Sequence, residues 1–345
     1  MSKAMGVNYK NIQIHNAAEI SYSQDGKSIS WRRVPSNVGE KLTEGGQNAI
    51  LNATGIELRF VMNSDEVEIE LEALPNSVSI FHVYRGSIQG GWKDHEVGKC
   101  VIGKTNCLIS KPKNLPTLRK ISEDAGYPFA PEVVRIIFDR GLCRICNIEG
   151  DIEPPKPEQL PKKTLMAYGS SITHGSNALD GSSKWVSVLA HKLNMDYRNL
   201  GMPGSCAMEP ELVDYIAREG ECGKWDTAIL ELGVNVLQWE DKKIHEHVSN
   251  TIRQIAGRNS DKMVFVVSPL YCNDDFYGRG NAERWRRIIA ETVEKEALPN
   301  VKLINGLDLI GDMSMISADE VHPNIYGIRQ ITERLYNIIM SQQIL

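Results

Sequence analysis

Four short stretches carry the residues that could do chemistry. They are Gly169-Ser170-Ser171-Ile172-Thr173-His174-Gly175, Asn199-Leu200-Gly201, Gly233-Val234-Asn235 and Asp319-Glu320-Val321-His322-Pro323. Together they offer a hydroxyl, a small turn, a carboxamide and an Asp/His pair. A serine hydroxyl is a poor nucleophile until a base takes its proton. His322 could be that base. Asp319, three residues upstream, could hold the imidazole in one tautomer and stabilise the imidazolium. Outside a helix, a spacing of three does not by itself guarantee contact between the two.

Other chemistries for the first stretch fail on spacing. A phosphate-cradling loop needs a lysine after its second glycine, and Gly175 is followed by Ser176. The dinucleotide pattern G-x-G-x-x-G is absent. The strained elbow G-x-S-x-G is also absent, because Ile172 and Thr173 follow Ser171. Each residue has an ordinary alternative. Ser171 could cap the next helix, Asn235 could be a turn residue, Gly201 could allow a tight turn, and His322 could mark a helix entry. His174 reads as a substrate contact or plain surface. His245 and His247, two apart on one helix, do not share a face and make a poor metal pair. Trp92, with Asp94 and His95, sits in a loop where an exposed indole could stack on a sugar, although a packed Trp is commoner.

The elements that must position these residues fall into two rhythms. Residues from about 20 to 150 read as short strands with frequent turns. Ile56, Leu58, Phe60 and Met62 alternate onto one face; Val67, Ile69 and Leu71 do the same opposite a row of glutamates, read as a solvated sheet face. This predicts an all-β sandwich over residues 1–153. The segment 154–163 holds Pro154, Pro155, Pro157 and Pro161 and reads as a stiff linker. From 164 to 345, five apolar strands alternate with amphipathic helices. The last helix carries a stripe through Ile325, Ile328, Ile331, Leu335 and Ile338. That alternation predicts a parallel sheet covered on both faces, with ligands at the carboxyl ends of its strands. All four chemical stretches follow strands on that edge.

The totals set the bounds. A chain of 345 residues favours two domains. A net charge of −5 with mixed signs argues against nucleic acid or an anionic membrane as the main partner. No apolar run approaches a membrane span, and the first 20 residues lack the apolar core of a secretory signal. Seven scattered cysteines, an odd number, suit reduced thiols in the cytosol better than a disulfide framework, with a mature secreted form as the alternative. Cys143 and Cys146 form a lone C-x-x-C; with no second pair for zinc, buried thiols are the simpler reading.

Taken in order, "YGSSITHG", "NLG", "ELGVN" and "DEVHPN" resemble the four sequence blocks of the SGNH hydrolases, also called GDSL esterases, over roughly residues 160–343. The resemblance implies a three-layer α/β/α sandwich, flavodoxin-like, with a five-stranded parallel sheet. It implies Ser171 as nucleophile, His322 as base and Asp319 as its orienter. It implies an oxyanion hole made by the N–H groups of Ser171 and Gly201 and the side-chain amide of Asn235. It implies no metal and no organic cofactor. Two positions depart from the family's usual pattern: Ser170 stands where an acidic residue is usual, and Val236 stands where Asp is common after the oxyanion Asn. The "GSSIT" and "ELGVN" blocks are similar to the branch that carries a β-sandwich or jelly-roll module ahead of the catalytic domain, which implies a jelly-roll-like form for residues 1–153. Several of its members resemble carbohydrate acetylesterases. The expected function is therefore a serine esterase acting on short acyl groups of a carbohydrate or small molecule. Acyl transfer with the same triad and sugar binding by a non-catalytic fold are the alternatives, and the oligomeric state is left open.

Overall fold

A computed structural model describes residues 6–92 and 96–342; Asp94 and His95 lie outside the described residues. The first half contains β1 (Gly6–Tyr9), β2 (Ile12–His15), β3 (Glu19–Tyr22), β4 (Ile29–Arg32), β5 (Glu57–Met62), β6 (Glu66–Ala73), β7 (Ser79–Arg85), β8 (Ile88–Gln89), β9 (Lys99–Val101), β10 (Lys104–Ser110), β11 (Val133–Phe138), β12 (Cys143–Glu149) and β13 (Ile152–Glu153). Two short helices, α1 (Ser36–Gly39) and α2 (Glu44–Ala49), follow β4, and α3 (Leu115–Ala125) follows β10. The strands form two antiparallel sheets. One runs β1-β2-β5-β11-β7-β8, with β13 and β9 attached to β5 and β7; the other runs β10-β6-β12-β4-β3. Leu58, Phe60, Ile69, Leu71, Ile136 and Phe138 fill the layer between them, as alternation along each strand requires.

The second half contains β14 (Thr164–Gly169), α4 (Ser171–His174), α5 (Trp185–Lys192), β15 (Asp196–Gly201), α6 (Pro210–Glu221), β16 (Thr227–Glu231), α7 (Asp241–Ile255), β17 (Met263–Val267), α8 (Asn273–Phe276), α9 (Asn281–Glu296), β18 (Val301–Ile304), α10 (Gly306–Leu309) and α11 (Ile325–Gln342). The five strands pair in the order β15-β14-β16-β17-β18, all parallel. Successive side chains of β14 feed opposite layers. Met166 and Tyr168 join a core with α6, α7 and α9; Leu165 and Ala167 join one with α5 and α11. The sheet is thus covered on both faces, the three-layer sandwich expected. No helix among the described residues is long and apolar enough to cross a membrane.

Three details differ from the sequence reading. The stripe on α11 is carried by Ile328, Ile331, Leu335 and Ile339, whereas Ile325 at the helix start is exposed. Helix α3 was not expected in the β half; it starts at Asn114 and stops at Gly126, whose φ of 63° suits a residue without Cβ. Finally, the β5 face opposite the sandwich core, on which the sequence carries no sign of a cover, holds Glu57 and Arg59, both fully buried.

That face packs against β15, an edge strand of the parallel sheet. Arg59 binds Asp196 in a bidentate pair at 2.7 and 2.8 Å and also donates to Glu57 at 2.8 Å. Arg135 closes the set on Glu57 at 2.6 and 2.8 Å. The outward carbonyls of β15 are taken by side chains from the β half. His15 Nε2 reaches Tyr197 O at 2.6 Å. Asn16 Nδ2 donates to Asn199 O at 3.1 Å. Arg33 donates to Asn199 O and Gly201 O, both at 2.9 Å. Val34, Val38, Leu42, Ala49 and Ile50, all before β5, belong to the same apolar core as α6 and β14.

Breaking a buried ion pair by removing one partner leaves an unpaired buried charge and costs about 3–5 kcal/mol. Arg59→Met should therefore lower stability by about that much in urea unfolding. Lys104→Met, which removes an exposed partner of Glu70, should shift it by less than about 1 kcal/mol. Equal losses would contradict the burial argument.

Candidate active site

Strand β14 ends at Gly169 and the chain turns directly into α4. Ser170 caps this helix, its Oγ accepting the Ile172 N–H at 3.1 Å. Ser171 is therefore the first helical residue, with no intrahelical partner for its N–H. Of the two serines, the cap is Ser170, and Ser171 is free to face the sheet edge.

His322 Nε2 lies 2.6 Å from Ser171 Oγ, and His322 Nδ1 lies 2.9 Å from Asp319 Oδ2. The spacing of three closes because the carboxylate turns the loop back on itself. Asp319 Oδ1 accepts the N–H groups of Val321 at 3.1 Å and His322 at 2.9 Å. Glu320 between them takes a φ of 63°, an uncommon conformation for a residue with a side chain. Asn177 Nδ2 adds a bond to Asp319 Oδ2 at 2.7 Å. Partial burial opposes ionisation of Asp319, but the two backbone N–H groups, Asn177 and His322 outweigh it and hold the carboxyl down at about 2. A carboxylate on Nδ1 selects the Nδ1–H tautomer and leaves Nε2 to accept the hydroxyl proton.

Asn235 follows β16 in a tight turn. Its Oδ1 accepts the Cys206 N–H at 3.1 Å, which turns Nδ2 the other way. Gly201 does not match its expected part. Its N–H donates to Asn199 Oδ1 and its carbonyl accepts from Arg33, both at 2.9 Å, so both polar groups are already spent. Its lack of a side chain serves packing, since a Cβ there would sit 2.2 Å from His174 N. The free N–H on this segment belongs to Gly204, three residues on, with φ 67° and open space beside it. The turn signal Pro203-Gly204 marks that position in the sequence.

His174 is neither surface nor an accessible contact. It is buried, with Nε2 at 3.0 Å from Asn52 Oδ1 and its carbonyl accepting Thr54 Oγ1–H at 2.8 Å. Burial, with Lys184, Arg33 and Arg140 nearby, holds its imidazole neutral, well below the usual range. Trp92 is 75% exposed in the loop after β8. His245 bonds Thr292 while His247 packs on Trp239. Cys143 is buried and Cys146 half-buried on β12, and both are free thiols. Leu179, Phe276 and Tyr277 are exposed, and Tyr277 O–H donates to Glu320 Oε1, in the loop of Asp319 and His322, at 2.9 Å.

Glu231, the last residue of β16, was not singled out from the sequence. It is buried under α4, and its Oε2 accepts Ser170 N–H and Ser170 Oγ–H at 2.7 Å and Thr173 Oγ1–H at 3.1 Å. Ser170, expected from the resemblance to stand where an acid is usual, reaches across to an acid on the neighbouring strand of the sheet. The signal available was a glutamate closing an otherwise apolar strand. Burial, partly offset by those hydrogen bonds, raises its carboxyl to about 7.

The model of the GDSL-like lipase/acylhydrolase family matches residues 162–340. No curated protein matches the chain. A salicylyl-acyltransferase from a tetracycline biosynthetic pathway superposes with a TM-score of 0.76 at 14% identity, over 99% of this chain and 97% of its own. A family two carbohydrate esterase from Cellvibrio japonicus gives 0.64 at 10% identity, over 99% and 96%. Another from Clostridium thermocellum, in complex with cellohexaose, gives 0.60 at 13%, over 96% and 99%. At such identities the likeness is one of fold, and it extends over both halves.

Two outcomes follow from the site. Asn235→Ala should fold normally and lose about 10²–10³ in kcat toward an aryl ester, the usual loss for one oxyanion donor; near-wild-type turnover would remove Asn235 from the reaction. Glu231 binds its proton more tightly folded than unfolded, so its contribution to stability is complete below about 4.5 and lost as pH rises through about 7. Glu231→Gln, which keeps the acceptor oxygen, should match wild type in urea midpoint at pH 5 and exceed it at pH 8. A parallel pH slope in both proteins would contradict this.

Proposed function

The chain belongs to the GDSL-like lipase/acylhydrolase family, and from that premise we propose that it is a serine esterase removing short acyl groups, acetyl foremost, from a carbohydrate or other small hydroxylated molecule. The observation that carries this reading is the continuous line Asp319–His322–Ser171, at 2.9 and 2.6 Å.

In this reading residues 164–345 are the catalytic domain, joined through 154–163 to the β module. Ser171 Oγ attacks the ester carbonyl carbon while His322 Nε2 takes its proton. Asp319, ionised far below neutral pH, stabilises the imidazolium without taking the proton itself. The carbonyl oxygen becomes an oxyanion held by the Ser171 N–H, the Gly204 N–H and Asn235 Nδ2. His322 then returns the proton to the departing alkoxide. Water, deprotonated by the same imidazole, releases the acid and restores Ser171.

A short acyl group suits the rim. The helices inserted at this edge, α4, α8 and α10, have four residues each, too short to lay an apolar lid over a long chain. The carbohydrate class is supported by the esterases sharing both halves of the fold, one of them holding cellohexaose. Transfer to an acceptor alcohol in place of water would use the same groups.

A screen of acetylated sugars and p-nitrophenyl esters of rising chain length tests the proposal. Wild type should turn over acetate esters faster than palmitate, Ser171→Ala should be inactive, and a fluorophosphonate should label Ser171. A rate that climbs to palmitate would reject the short-acyl reading. Faster product formation with added alcohol, and an acylated alcohol among the products, would identify a transferase.

A further inference from the structure

Residues of the β half come within one hydrogen bond of two segments that carry the reacting groups. Arg33 is fully buried. Its guanidinium donates to Asn199 O and Gly201 O at the end of β15, to Ala49 O at the end of α2 at 2.6 Å, and to Asn52 O at 3.1 Å. Every acceptor is a backbone carbonyl and none is a carboxylate. Burial and the neighbouring Arg198 push its guanidinium down to about 9, so it still carries charge at neutral pH. A buried cation without a counterion is costly, and a well-packed apolar residue would often serve stability as well or better. What a methionine could not do is hold four backbone carbonyls at once.

Two of those carbonyls belong to the strand end that runs through Met202 and Pro203 to Gly204. The other two lie beside α2, which packs on the far side of the same loop. A Cβ on Gly45 would meet Ser205 Oγ at 2.2 Å, and Glu209 Oε1 accepts the Thr43 N–H at 2.6 Å. The second reach is to α4. Asn52 Oδ1 accepts His174 Nε2–H and Thr54 Oγ1 donates to His174 O. His174 ends the one-turn helix that Ser171 begins. These contacts are buried: Asn16, Arg33, Thr54 and His174 all face inward, where no substrate reaches them.

We infer that the β module is a positioning element of the catalytic site, with Arg33 fixing the loop that presents the Gly204 N–H and Asn52 fixing the helix that presents Ser171. The inference rests on the serine esterase reading above. It assigns the module a part in kcat, through support of the oxyanion and nucleophile segments, in place of a part in substrate capture. Ångström-scale displacement of such groups costs up to about 100-fold in rate.

The test uses the full chain, p-nitrophenyl acetate as the smallest convenient ester, and fluorophosphonate labelling to completion to count competent sites. Arg33→Met should lower kcat per labelled site about 10- to 100-fold with KM changed less than about twofold. Arg33→Lys, which keeps the charge but not the planar fork, should fall between Arg33→Met and wild type. Asn52→Ala, a milder change at a half-buried residue, should lose about 10-fold in kcat per site and label more slowly. Loss of labelled sites with kcat per site unchanged would overturn the inference, because it would make both residues purely structural. A rise in KM at constant kcat would also overturn it, in favour of substrate contact. If Arg33→Met does not fold, Asn52→Ala decides alone on the same readout. Wild type that neither labels nor hydrolyses any ester would bring down the esterase reading itself; active wild type with unaffected variants overturns only this inference.

Discussion

A buried sheet edge is the constraint on which the molecule turns. Strand β15 has β14 on one side and, on the other, the face of an antiparallel sheet that does not pair with it. Every second residue, Tyr197, Asn199 and Gly201, therefore turns its N–H and C=O toward protein that offers no ladder. Buried backbone groups left unpaired would each cost on the order of 1–3 kcal/mol. Side chains supply the missing partners. His15, Asn16 and Arg33 take the three carbonyls, and the Oδ1 atoms of Asp196 and Asn199 take the N–H groups of Tyr197 and Gly201. The Arg59–Asp196 pair anchors the same strand at its start. The β module is in this sense the sixth strand's substitute.

This arrangement ties fold to the candidate site because β15 leads directly into the loop whose Cys206 N–H binds Asn235. A strand held at both ends by arginines from another layer cannot shift relative to α4 without breaking charge-assisted bonds in a low-dielectric interior. The site is similarly supported from the other side. Glu231, rising from β16, gathers Ser170 and Thr173 and so fixes α4 at its start, while Asn52 and Thr54 fix it at its end. Ser171 sits between two clamps, which leaves its hydroxyl rotor as the main freedom before His322.

Much of this was legible in the sequence. The two-fold rhythm of β5 and β6 pointed to the sandwich, and the switch to alternating apolar strands and amphipathic helices pointed to the parallel sheet. Ser171, Asn235, Asp319 and His322 stood out as candidates because each stretch follows a strand on one edge, and their roles came from the resemblance of the four blocks to a known family. What could not be read is what one half does to the other. Glu57, Arg59, Arg135 and Arg33 look like surface charges in a one-dimensional pattern, because alternation shows which face of a strand is apolar but not what covers the polar face. His174 looked exposed for the same reason: a polar residue in a loop is assigned to solvent unless its partner, here 122 positions away, is known. The proline-rich segment marks where the chain passes between halves, yet Val34, Val38 and Ile50 share a core with α6, so the cores divide elsewhere.

The exchange of Gly201 for Gly204 shows how much follows from strand order alone. On a strand, backbone groups alternate sides with a period of two. Once β15 is known to be the edge and Asn199 to face outward, Gly201 must face outward as well, and its N–H is lost to the active site. The chain regains the sheet side at Met202, whose N–H bonds Gly169 O at 2.7 Å, and Pro203 has no N–H to give. Ser205 N–H is already spent on Met202 O at 3.0 Å and Cys206 N–H on Asn235. Elimination along these residues leaves Gly204, whose φ of 67° is the conformation that a side chain would resist. The two glycines thus answer different constraints, one because α4 passes too close for a Cβ and the other because the loop turns left-handed there. The sequence "NLGMPG" holds both, and only the position of the strand at the edge of the sheet separates their tasks.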